Sequence, residues 1–244
     1  MSETVTPVWI DPSWLSWGSI WETKEPISND DTARLYEIHQ HACDRLAGDP
    51  NEFDRVDSIM ALRRVVGRRV KALKEIYKLR ELPTGTKPRH DLELLEYFGI
   101  IRPFMLKRLI DIRNIVEHQD SSPPSVDECL MYADLIWYFL RSTDGLAQMQ
   151  AETLIIKPRD VPRSTEPMVM LHFREPFSEM PDIETWVKAA IISYQPRIDW
   201  IKIESTEVTL DESPKVTWVR VSGKIRGTEK QMKPIYDIYF KTCH

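Results

Sequence analysis

The hydrophobic pattern changes its period near Gln150, and that change limits the chain to a helical part followed by a mixed one. Before it, apolar residues recur every three or four positions, as in Leu35, Ile38, Ala42 and Leu46 or Leu130, Ala133, Ile136, Trp137 and Leu140. Such spacing lines one face of an α-helix. After it, Pro158, Pro162 and Pro167 interrupt the chain and β-branched runs appear, with alternation at Ile201 and Ile203 and at Val216 and Trp218. Alternation of that kind reads as half-buried strand. At 244 residues there is room for one large domain or two ordinary ones.

The pattern predicts helices over residues 32–47, 49–82, 91–98, 103–118 and 126–150. The second starts at Asp49-Pro50-Glu52 and has Val56, Ile59, Met60, Val66, Val70, Leu73 and Tyr77 as its apolar face; the fourth turns Met105, Leu109, Ile112 and Val116 inward. Ser125-x-x-Glu128 is a capping box for the fifth. Strands are expected over 168–173, 198–210, 216–225 and 235–241, with a helix over 184–193. The fold class is therefore α+β: an all-α helical bundle over 29–150, then a small α+β domain with an antiparallel sheet over 151–244. Residues 1–28 form a tryptophan-rich extension. There Asp11 reads as an N-cap with Pro12 at the first helical position, and Trp14, Trp17 and Trp21 fall on one helical face. That face either packs on the main body or docks a protein partner or bases.

The longest clearly apolar run, residues 135–140, is far short of the roughly 20 residues a bilayer span needs. No basic stretch followed by an apolar one opens the chain, so neither a membrane nor secretion is expected. Three scattered cysteines (Cys43, Cys129, Cys243) suit a reducing, cytoplasmic setting. His39, His41 and Cys43 stand at i, i+2 and i+4, which cannot all face one ion on a helix. No metal and no cofactor is expected, and no P-loop, dinucleotide fingerprint or nucleophile elbow is present.

Charge is segregated along the chain. Residues 1–62 carry 4 basic and 12 acidic groups, residues 63–113 carry 14 and 6, and residues 114–149 carry 1 and 6. The basic block centres on Arg63, Arg64, Arg68, Arg69, Lys71, Lys74 and Lys78, with Glu75 the one acid among them. A solvated helix face is normally balanced by acids four positions away. This one is not, so these seven residues are candidates for contact with an RNA backbone, in binding that falls steeply with salt. Pairing with the acidic first segment, or with an acidic partner, is the rival reading.

The block ends on Arg113-Asn114-Ile115-Val116-Glu117-His118, which closes the fourth helix. A fixed cation and an imidazole that titrates near neutrality are what metal-free RNA cleavage needs. Cations in a last turn also favour the helix dipole, which accounts for the same residues without catalysis. Five residues at about 100° each put Arg113 and His118 about 140° apart, so one straight helix cannot aim both at one phosphate. Either the helix ends between them or two chains share the site.

The R-x4-H spacing, the polar residue after the arginine, and the short helix, Gly-Ile-Ile turn and motif helix over 94–118 together resemble the HEPN family. The resemblance covers about residues 30–150. It implies a helical bundle that homodimerises through this domain into a metal-independent endoribonuclease, of a kind often acting as a toxin or in anti-phage defence. Arg113 would orient the phosphate and stabilise the transition state, Asn114 would position the site, and His118 would be the general acid/base. Attack of the RNA 2′-OH on the adjacent phosphate would leave a 2′,3′-cyclic phosphate and a free 5′-OH. Some members carry a tyrosine two residues after the histidine, where a partner enzyme modifies them; here that position is Asp120. The alternative is a non-catalytic module of the same family that binds a protein or nucleotide.

Overall fold

The chain begins as strand, not helix. The computed structural model describes residues 6–27, 31–117, 124–159, 167–174, 177, 179–212 and 217–242. Its first element is β1 (Thr6–Ile10), followed by a single 3-10 turn (Pro12–Ser16) and β2 (Gly18–Pro26). Asp11 does cap that turn, accepting from the Ser13 amide at 2.8 Å. The helix expected through Trp21 does not form. Trp14 is buried in the 3-10 turn, whereas Trp21 sits on β2, donates to the Thr242 carbonyl at 2.8 Å and meets the Tyr239 ring edge-on at 4.7 Å. A spacing that fits one helical face is here spread over two elements.

Two compact units result. One comprises Met1–Glu25, Arg80–Thr86 and Ala151–Thr242, the other Pro26–Leu79 and Lys87–Gln150. The first holds an eight-stranded sheet. To β1 and β2 it adds β3 (Met149–Lys157), β4 (Met168–His172), β5 (Asp182–Lys188), β6 (Ile192–Ser193), β7 (Ile201–Glu212) and β8 (Thr217–Arg226). The order is β2-β3-β4-β5-β8-β7-β1-β6, and β1 pairs antiparallel with both β7 and β6. Strands β3 to β5, β8 and β7 are likewise antiparallel. Alternate residues point to one face: Val169 and Leu171, Ile183 and Val187, Val219 and Val221 are all buried. Each such side chain contributes about 1.5–3 kcal/mol on full burial.

A last helix, α6 (Glu229–Thr242), covers that face. Its Tyr239 packs edge-on to Phe173 at 4.5 Å and to Phe177 at 4.8 Å, and its hydroxyl donates to the Ala151 carbonyl at 3.0 Å. Two expectations are reversed here. Residues 235–241 are helix rather than strand, because Met232, Ile235, Tyr236, Tyr239 and Phe240 bury a stripe of helical period. Residues 184–193 are β5, a 3-10 turn and β6 rather than helix, with Ile183, Thr185 and Val187 alternating inward. The sheet also carries a bulge: Ser205 pairs with Gly223 and Glu207 with Ser222, leaving Thr206 over. Gly223 is required there, since a Cβ would run into the Glu204 carbonyl and the Ser205 backbone.

The second unit is built of helices: α1 (Thr32–Arg45), α2 (Glu52–Ile76), α3 (Asp91–Tyr97), α4 (Pro103–Glu117) and α5 (Val126–Gln148). Asn51 caps α2 in a box with Asp54, displacing the expected start by two positions. Ser125 and Glu128 form the expected box on α5, and the hydrogen bonds from Ser125 hold the Glu128 carboxyl below its usual range. Hydrogen bonds tie α1 to its neighbours: Ser58 Oγ to the Ala42 carbonyl at 3.0 Å and His39 Nε2 to the Ala133 carbonyl at 2.8 Å. The buried row of α2 is Ile59, Leu62, Val66, Val70 and Leu73, while Val56 and Met60 are 39% and 49% exposed and lie off it. Among the described residues, no helix is long and apolar enough to cross a membrane.

Candidate functional site

Helix α3 ends in a turn that aims the chain into α4. Gly99 takes a φ of +71°, and the Ile100 amide reaches back to the Leu95 carbonyl at 2.9 Å. This is the left-handed C-terminal motif that glycine favours. Pro103 then opens α4, where its missing amide costs nothing. The short helix, the Gly-Ile-Ile turn and the motif helix thus follow one another as expected.

Helix α4 is continuous from Pro103 to Glu117, so Arg113 and Asn114 lie in its last turns. Asn114 is exposed. The side chain of Arg113 and all of His118 lie outside the described residues, as do Asp120 and the side chains of Leu109, Ile112 and Val116. Earlier in the helix, Met105 is half-buried, and Arg108 lies over the Phe104 ring at 5.6 Å and 3.6 Å from Asp111. Burial, and then the Asp111 and Glu128 carboxylates, push the Tyr132 hydroxyl of α5 up from its ordinary value.

The seven basic residues of the central block are sorted into three groups. Arg69 is 1% exposed and donates to Asp144 of α5 at 2.8 Å. It belongs to the interior and is withdrawn from the candidates for RNA contact, because a buried, paired guanidinium cannot reach a phosphate backbone. Arg68 and Lys74 pair with Asp31 (3.1 Å) and Asp91 (2.7 Å) at the surface. Arg63, Arg64, Lys71 and Lys78 are exposed, Lys71 standing 3.9 Å from Glu75. Partly exposed pairs are weak and can be exchanged for a phosphate.

A groove of about 580 Å³ runs along α2 between the start of α3 and α4. Val66, Gly67 and Val70 of α2, Leu92 of α3 and Ile110 of α4 form its apolar part. Arg63 and Lys71 of α2 and Arg89 and His90 just before α3 line it as well, all four exposed, together with Asp91 and Glu93. Ile110 stands one helical turn before Arg113 and Asn114, so the groove and the motif share α4. The sequence reading assigned no role to Gly67, Arg89, His90 or Leu92. The one signal available was a glycine in the middle of a long helix, which costs about 1 kcal/mol relative to alanine and calls for a local reason.

His39 and Cys43 approach one another, with Sγ 3.8 Å from Nδ1. His39 Nε2 meets a carbonyl and so carries its proton. Among the described residues no group of three or more His, Cys, Asp or Glu could hold a metal ion. No protein-family model matches the chain, and no curated protein and no solved structure shows significant similarity to it.

Proposed function

We propose that the chain is a metal-independent endoribonuclease of the HEPN kind, acting as a homodimer in the cytoplasm. The observation that carries this reading is the α3–Gly99–α4 hairpin, which ends with Arg113 and Asn114 in the last turns of an unbroken helix. His118 accepts the proton of an RNA 2′-OH as O2′ bonds to the neighbouring phosphorus. The P–O5′ bond breaks, and the leaving 5′ oxygen takes up the proton that the His118 imidazole accepted, which restores the neutral base. Arg113 balances the charge that gathers on the phosphoryl oxygens, and Asn114 orients the strand. Fixed positive charge and a positioned base are the two contributions such a site makes without metal. Because α4 continues as helix through Glu117, Arg113 acts with His118 of a second copy rather than with its own. Arg63, Arg64, Arg68, Lys71, Lys74 and Lys78 supply backbone contacts, surface pairs such as Arg68–Asp31, Lys71–Glu75 and Lys74–Asp91 opening to phosphate. A role as a toxin or anti-phage effector belongs to the same proposal.

Purified protein in chelator is expected to cleave single-stranded RNA to 2′,3′-cyclic phosphate ends. Arg113→Ala and His118→Ala should each abolish cleavage and leave the molar mass by light scattering unchanged. Equal cleavage by wild type and variants would end the proposal. The exposed apolar side chains of α5, Leu130, Met131, Trp137 and Tyr138, favour a second reading, a non-catalytic module that binds a protein. It predicts no cleavage by any form and loss of partner capture on Trp137→Ser.

A further inference from the structure

We infer that the groove between α2, α3 and α4 is a nucleotide subsite, holding one nucleotide unit of a single RNA strand. The inference rests on the RNA reading above and adds where the strand is gripped. A volume of about 580 Å³ falls within the range of roughly 300–1,000 Å³ typical of pockets for small organic molecules. The lining divides as a nucleotide divides. Ile110 and the little of Val66 and Val70 left accessible form the apolar part against which a base can lie, and cations from α2 and from the segment before α3 line the groove for its phosphates. Arg89 and His90 are also flat side chains, and unpaired bases stack on guanidinium and imidazole planes.

Gly67 is the residue that makes this possible. A Cβ placed on it would meet nothing within 4 Å, so the space above it is open and the helix backbone is the floor. No packing in the unit demands a glycine there, and its φ is not in the left-handed region. The helix carries the cost of a central glycine and gains a flat surface for a planar ligand. Asp91 does not oppose an anionic ligand strongly, because Lys74 holds it at 2.7 Å. Ile110 sets the subsite one turn before Arg113, so a strand seated in the groove presents a neighbouring phosphodiester to the end of α4.

The test is fluorescence anisotropy with a labelled eight-nucleotide RNA bearing 2′-O-methyl groups, which cannot undergo 2′-OH attack. Gly67→Leu fills the groove from an exposed helix position and should lower affinity by about tenfold or more, with an unchanged or higher melting temperature. Arg89→Glu should weaken the same complex. An oligomer of the same sugar-phosphate backbone without bases should bind wild type and Gly67→Leu alike. Wild-type affinity of Gly67→Leu for the intact oligomer overturns the subsite. So does tighter binding of free AMP than of the oligomer, which would make the groove a site for free nucleotides. Gly67-dependent binding in a protein that does not cleave ordinary RNA keeps the subsite and rejects the nuclease. Cleavage with binding indifferent to Gly67 does the reverse.

Discussion

Asp144 gathers three partners: Arg69 at 2.8 Å, the Tyr36 hydroxyl at 2.7 Å, and the more exposed Arg141 at 3.7 Å. Burial, followed by the hydrogen bond to this carboxylate, pushes the Tyr36 hydroxyl up to about 12, so it serves as a donor throughout the physiological range. Removing one member of a buried pair strands the other, at about 3–5 kcal/mol, whereas replacing a buried charge by an apolar group of its own volume together with its partner is often neutral. Asp144→Ala should therefore lower stability by about 3–5 kcal/mol in urea unfolding, and the double change Arg69→Met, Asp144→Leu by much less. Equal losses would show that packing, not charge, sets the cost. This cluster also shows why the sequence misled at Arg69. A run of basic residues displays charge but not direction, and Arg69 falls between Val66 and Val70 on the buried side of α2. Only the acid at position 144, 75 residues away, tells it apart from its exposed neighbours.

At the scale of the element, α2 and α3 end in the same way on different residues. The Leu79 amide bonds to the Lys74 carbonyl and the Ile100 amide to the Leu95 carbonyl, each motif needing a left-handed residue just before the reaching amide. In α3 that residue is Gly99; in α2 it is Lys78, with φ of +47°. A side chain in that conformation costs about 1–2 kcal/mol. Lys78→Gly should raise stability by about 1 kcal/mol, read as a higher melting temperature, with modest loss of RNA affinity because one exposed cation goes with it. A lower melting temperature would mean that the Lys78 side chain makes a contact worth more than the strain. Helices of the second unit were legible because caps and a 3.6 period mark them from within: Ser125 with Glu128, Pro103, Gly99. The strands β1, β2 and β3 were not. The partners of β1 and β2 lie far away in the chain, three tryptophans spaced by three and four imitate a helix, and β3 runs on directly from the end of α5. Residues 235–241 failed for the opposite reason, since a short aromatic and β-branched run fits both periods until Met232 is included. Of the candidate site, the helix that carries the motif and the exposure of most basic residues of α2 could be read directly, whereas the groove needed α2, α3 and α4 brought together.

The whole molecule is one fold inserted into another. The chain makes two strands of the sheet, leaves to build the helical unit, visits the sheet unit again with Arg80–Thr86, and returns for the rest. The expected division at residue 150 therefore marks where β3 begins, but not where the sheet unit begins. Residues 151–242 expressed alone lack β1, which belongs between β7 and β6, and β2, which belongs beside β3. That fragment should be insoluble or show no cooperative melting by circular dichroism, and fusion of residues 6–26 ahead of it should restore a transition. A cooperative transition in the fragment alone would show that β1 and β2 are dispensable. The sheet order also sets a timetable for synthesis. β1 emerges from the ribosome ahead of the helical unit, yet its hydrogen-bonding partners, β6 and β7, follow that unit. Sheets whose pairings span such distances close slowly and leave edges unpaired while they wait. The helical unit, whose contacts are nearer in sequence, has time to fold first, and through that interval β1, with Val8 and Ile10 still uncovered, must be kept from other chains.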